Sequence, residues 1–111
     1  MQKLLLVVIS FILAGCANEN NVLKTVCIKN DSSIQHNIIE YNNGEYITYD
    51  RMKMKKYNAF KADEYSVFSY QSSNGEKVVF VVHDNGNMYY RHYPSNAVQS
   101  TDYDEMGGCK I

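Results

Sequence analysis

A chain of 111 residues has room for one small domain and not for two. Its 11 Lys and Arg stand against 12 Asp and Glu, a formal net charge of −1. A nucleic-acid binder carries a clearly basic face or total charge, so that partner class is not expected.

At the N-terminus, Met1-Gln2-Lys3 supplies one positive charge, and Leu4 to Ala14 form an apolar run broken only by Ser10. The run is shorter than the roughly 20 apolar residues a permanent spanning helix needs. Its layout is that of a cleaved export signal. Leu13-Ala14-Gly15-Cys16 then resembles the lipobox of bacterial lipoproteins, in which a peptidase cuts before the cysteine and the cysteine carries the lipid. The resemblance implies a signal peptide over 1–15, a lipidated Cys16 and membrane attachment through two or three acyl chains, enough for stable anchoring. Ala17, rather than Asp, follows the cysteine. In enteric-type bacteria that implies the outer membrane, with the domain facing the periplasm. Residues 17–21 read as a polar tether of at most about 18 Å when extended, within a lipidated segment 16–21, and 22–111 as the folded domain. No second segment of spanning length follows, so the domain is expected to be soluble.

Strands are expected at about 22–29, 34–41, 45–50, 65–72, 76–83 and 87–93, with a short closing strand near 108–111. Asn43-Gly44, Asn74-Gly75 and Asn85-Gly86 separate runs rich in Val, Ile, Tyr and Phe. Asn-Gly is the preferred pair of two-residue type I′ hairpins, because both positions take φ > 0. Such hairpins would set Val82 against Tyr89, Phe80 against Arg91, Val79 against Tyr70 and Val81 against Phe68. Val78 to Val82 would then be a central strand, apolar on both faces, either covered on both sides or part of a small closed barrel. In segment 51–64, Arg51, Lys53 and Lys55 alternate with Met52 and Met54 as in a half-buried strand, but the methionines run out of phase with Ile47 and Tyr49, so a bulge or break is expected near Asp50-Arg51. Residues 58–64 suit a loop or a helical turn, and 94–107 a long polar loop. The fold class is all-β: a small antiparallel meander or barrel of about six to eight strands, closed by one disulfide.

That disulfide follows from cysteine arithmetic. With Cys16 lipidated, Cys27 and Cys109 remain at opposite ends of the domain, and in an oxidising envelope such a pair is usually bridged. Metal ligation, which lacks Cys-x-x-Cys spacing here, and a reactive thiol are the alternatives. Closing so long a loop is worth on the order of 4–5 kcal/mol.

Motifs for catalysis are missing. The chain has no Gly-x-Ser-x-Gly elbow, no phosphate-cradling glycine loop, and histidines (His36, His83, His92) whose expected register keeps them too far apart to share a metal ion. They read as surface or sheet-edge residues. The acidic groups Asp63-Glu64 and Asp102, Asp104 and Glu105 read as solvated loops. No cofactor, metal or catalytic residue is expected. Tyrosine is more suggestive: ten occur, and Tyr89 and Tyr93 flank Arg91 on one strand face, the residue types that protein interfaces favour. The basic stretch Arg51, Lys53, Lys55, Lys56 and Lys61 could steer a partner or protect a strand edge.

The layout from Cys16 through Cys27 and the strands to Cys109 resembles the membrane-bound inhibitors of c-type lysozyme, small lipoproteins with one β-barrel domain. The family's Ser-Gly-x-x-Tyr motif is missing; the nearest segment, Ala62-Asp63-Glu64-Tyr65, keeps only the tyrosine, and Lys77 matches a basic residue on the following strand. The resemblance therefore implies Tyr65 and Lys77 as contact residues without transferring the inhibitory site. The expected function is that of a non-enzymatic envelope lipoprotein that binds and neutralises another protein, as lysozyme inhibitors, immunity proteins and exclusion lipoproteins do. An assembly accessory of an envelope complex is the alternative, and a small cell-wall enzyme the third.

Overall fold

The computed structural model describes residues 23–110; the proposed signal segment, Cys16 and the tether lie outside the described residues. Eight strands follow in order: β1 Leu23–Lys29, β2 Gln35–Tyr41, β3 Tyr46–Tyr49, β4 Met52–Lys61, β5 Tyr65–Ser72, β6 Lys77–His83, β7 Met88–Tyr93 and β8 Glu105–Lys110. Each pairs antiparallel with the next, and β8 returns to β1, so the meander closes into a barrel. The pairings among the described residues close the barrel around its core and disulfide within 23–110, so this span has what a domain needs to fold alone.

An eight-stranded barrel has an interior just wide enough to be filled by side chains. Alternation along each strand sends Ile38, Ile47, Met54, Val78 and Phe80 inward, together with the rings of Tyr49, Tyr70 and Tyr90. The seam between β1 and β8 is cross-linked by Cys27–Cys109, which stand directly opposite one another. Their separation of 82 residues makes the bridge a clasp on nearly the whole domain. Gly107 faces the Tyr90 ring beside this seam. A Cβ there would lie 1.9 Å from the Ile28 carbonyl oxygen and 2.8 Å from Tyr90 Cε1, so only glycine permits that approach. Residues 105–107, expected as loop, are therefore the first half of β8.

The Asn-Gly hairpins differ from expectation in one respect that matters. At Asn74-Gly75 and Asn85-Gly86 only the glycines take positive φ, +95° and +97°. His83 N donates to Asn87 O at 2.8 Å and Ser72 N to Glu76 O at 2.9 Å, which makes each a three-residue loop ending in a left-handed glycine. The register therefore moves by one. Val82 faces Met88, Phe80 faces Tyr90 and Phe68, and Val79 faces Arg91 and Ser69. A slip of one residue exchanges the inner and outer faces of a strand, so Arg91 and Phe80 are on opposite sides of the wall. Asn43-Gly44 also departs from a two-residue turn. Asn42, Asn43 and Gly44 all have positive φ, in a loop that joins the Tyr41–Tyr46 pair.

The break near Asp50-Arg51 is a two-residue hairpin. Tyr49 pairs with Met52 and Ile47 with Met54, so the change of phase puts both pairs on one face. Asp50 and Arg51 hold φ of 49° and 77°, which is unfavourable for residues with a Cβ. The Asp50 carboxylate offsets this by accepting from Asn37 N at 2.7 Å. Segment 52–61, expected only in part as strand, is β4 throughout, and its register shifts between Lys56 and Asn58.

The two ends of the barrel differ. One carries the β1–β2, β3–β4, β5–β6 and β7–β8 connections. The other carries the remaining three turns and both ends of the described chain, with Leu23 paired to Glu40.

Candidate functional site

The corrected register puts Tyr89, Arg91 and Tyr93 on the outer face of β7, between inward-facing Tyr90 and His92. Neighbouring strands extend that face. One row runs around the barrel from Phe60 through Val67, Val81 and Tyr89 to Gly108 and Ile28. Phe60, Tyr89 and Ile28 are 51, 47 and 39% exposed. A second row holds Ser69, Val79, Arg91 and Met106, and a third Gln71, Lys77 and Tyr93. Along the strands, the face has an aromatic cluster at each end. His83 lies between Tyr65 and Tyr89, with ring centroids 5.7 and 5.6 Å away. At the other end the Arg91 guanidinium stacks on Tyr103 at 4.6 Å, Tyr103 meets Tyr93 edge-on at 6.3 Å, and the Tyr93 hydroxyl donates to the Ser100 carbonyl at 2.9 Å.

All five sequence-nominated contact residues thus lie on or border one outer wall. They do not converge on a point. Tyr65 pairs with His83 and Lys77 with Gln71, at opposite ends of the β5–β6 hairpin and roughly 20 Å apart at about 3.3 Å per residue. Lys77 directs its ammonium instead over the Tyr57 ring, at 5.8 Å.

The histidines and acids correct the sequence reading. His36 and His92 are not surface or sheet-edge groups. They point into one end of the barrel, with side chains 13 and 12% exposed, and sandwich the Tyr49 ring at 4.7 and 5.6 Å. Each ring has a carboxylate on both nitrogens. His36 Nδ1 bonds Asp50 at 2.5 Å and its Nε2 bonds Glu105; His92 Nδ1 bonds Asp104 at 2.7 Å and its Nε2 bonds Glu76 at 2.9 Å. Glu105 also accepts from the Tyr90 hydroxyl at 2.5 Å. Asp102 is an exposed loop acid, as expected; it accepts from Gln99 N and Val98 N, and these bonds hold its carboxyl below the usual range.

The cluster is a polar plug. Burial raises the Tyr49 and Tyr90 hydroxyls well above the ordinary phenol, with Glu105 adding to both. Burial pulls His92 down, but its bonds to Asp104 and Glu76 prevail and leave it above 6.5. With both nitrogens engaged, neither ring offers a base to a substrate. The Tyr49 hydroxyl is buried without a hydrogen-bond partner among the described residues. Period-two alternation from Tyr90 to His92 is the signal that would have placed His92 inside, had the hairpin loop been counted as three residues.

Comparison with protein-family models, with curated proteins and with solved structures returns no significant match.

Proposed function

We propose that this chain is a non-enzymatic envelope lipoprotein, anchored through Cys16, whose barrel binds another protein through the outer wall of β5, β6 and β7 and blocks it. The observation that carries the reading is the apolar and aromatic surplus of that wall. A closed barrel needs one apolar face per strand to fold, and Val79, Val81, Tyr89 and Met106 are on the other. A patch with Tyr89 and Met106 exposed and Val79 and Val81 half-buried, accompanied by Arg91, Lys77 and His83, is the usual composition of a protein-binding surface. The lipobox resemblance supports the envelope location, and the short tether would keep the domain close to its membrane.

The lysozyme-inhibitor version is tested by titrating residues 22–111 against a c-type lysozyme. Loss of lytic activity at a one-to-one ratio is expected, with Tyr89→Ala and Arg91→Ala each weakening inhibition by at least tenfold, about 1.4 kcal/mol. Full lysozyme activity at micromolar excess would overturn it.

A further inference from the structure

Opposite the polar plug, the barrel interior is not filled. A cavity of about 230 Å³ opens at the end where the chain enters β1. Ile38, Ile47 and Phe80 form its buried walls, and Phe68, Val82 and Met88 line it nearer solvent. The Tyr70 hydroxyl, which burial and then Glu40 push up to about 12, donates to the Gly44 carbonyl at 2.6 Å, so its proton is already committed. At the mouth stand two opposite charges. Measured from where a Cβ on Gly44 would be, Glu40 Oε2 lies at 2.8 Å and Lys56 Nζ at 3.7 Å. Gly44, at φ +88°, leaves open the space that both heads occupy. The Lys56 ammonium is also 5.7 Å from the centre of the Phe68 ring.

We infer that this cavity binds the alkyl chain of a single-chain amphiphile with an uncharged, hydroxyl-bearing head, as in a monoacylglycerol. Apolar walls and a polar mouth are the usual form of a ligand site in a β-barrel. An apolar protein cavity of about 150 Å³ accommodates a benzene-sized molecule, so this one has room for a short length of one chain and not for two. The two opposite charges at the mouth select the head. A carboxylate would gain Lys56 but meet Glu40, and an ammonium would meet the reverse. A glycerol head gives a hydroxyl proton to Glu40 and an ester oxygen to Lys56. The source is the membrane: if the lipoprotein reading holds, Leu23 leaves the barrel at this mouth and the anchor turns the opening towards the lipid. Binding itself does not depend on that reading, nor on a protein partner.

The test is a titration of residues 22–111, isotopically labelled at methyl groups, with monooctanoylglycerol below its micellar concentration, followed by NMR. Saturable shifts are expected for Ile38, Ile47, Val82 and Met88, with outer-face Val79 and Val81 unmoved. Octanoate and octylamine should bind at least tenfold more weakly. Val82→Phe, which fills the mouth, should weaken monooctanoylglycerol binding at least tenfold, and Glu40→Gln, a rim change that leaves the core intact, should narrow the gap between the glyceride and octanoate. The inference is overturned by unsaturable shifts, by shifts shared with Val79 and Val81, or by a glyceride–octanoate gap that Glu40→Gln leaves unchanged.

Discussion

On the inner face of β5, β6 and β7, Val78 and Tyr90 pack into the barrel core, and Phe68 and Phe80 line the cavity beside it. On the outer face of the same strands, Val67, Val79, Val81 and Tyr89 have no opposite wall to meet. Both rows are apolar, but burial differs along them: Val78 and Tyr90 inside are 0 and 1% exposed, whereas outside Val67 is buried at 9%, Val79 and Val81 are half-buried and Tyr89 stands 47% exposed. The contrast separates two selective reasons for a hydrophobic residue. Inside, it is the free energy of burial that closes the barrel; outside, the surface is useful only if something covers it.

The contrast can be broken by substitution. The largest effect is expected at the inner seam, where replacing Cys27 and Cys109 together by Ala should remove on the order of 4–5 kcal/mol of stability, read from denaturant unfolding of residues 22–111. An unchanged midpoint would mean that closure does not depend on the bridge. Phe80→Ala, 3% exposed in the native barrel, should cost about 3–5 kcal/mol, and a cost below 1 kcal/mol would remove the distinction between the faces.

A pH series sharpens the inner side further. His92 is held above 6.5, so its contribution is complete below that pH and is lost as pH rises through the raised value. Glu76 is held below 4.5 by its bonds from His92 and Asn74, so its contribution is present above 4.5 and is lost as pH falls through the lowered value. The plug is therefore expected to stabilise most between 4.5 and 6.5, and His92→Gln should flatten the decline on the alkaline side. Identical slopes for the two proteins would count against the plug. The smallest stability effect belongs outside: Tyr89→Ala should shift unfolding by less than about 1 kcal/mol, and a larger loss would make Tyr89 a folding residue.

Much of this barrel was legible beforehand. The β-rich runs, the paired cysteines and the doubly apolar Val78–Val82 run each pointed to a closed antiparallel sheet, although 58–61 and 105–107, expected outside the strands, belong to β4 and β8. Register was not legible, because a two-residue and a three-residue hairpin can share the same Asn-Gly; they differ in whether the Asn also takes positive φ, and Asn74 and Asn85 do not. The Asp50-Arg51 hairpin escaped notice since it contains no glycine, its unfavourable φ values being held by the Asp50 carboxylate. Those errors of one residue left Tyr89, Arg91 and Tyr93 together on one face but misplaced what lies around them. They set Phe80 beside Arg91 on one face, and they left His36 and His92 outside a cluster that only barrel closure assembles, from β2, β3, β7 and β8.

The most direct test of the outer wall is site-specific photo-cross-linking of the lipidated protein in its native envelope, with the photoreactive residue at position 89 or at position 48. Tyr89 is on the outer face of β7, and Thr48 on the outer face of β3, halfway round the same barrel. A defined protein adduct at position 89, lost when Arg91→Ala is added and not formed from position 48, is the expected result. Equal adducts from both positions, or none from position 89, would contradict a partner-binding role for this wall.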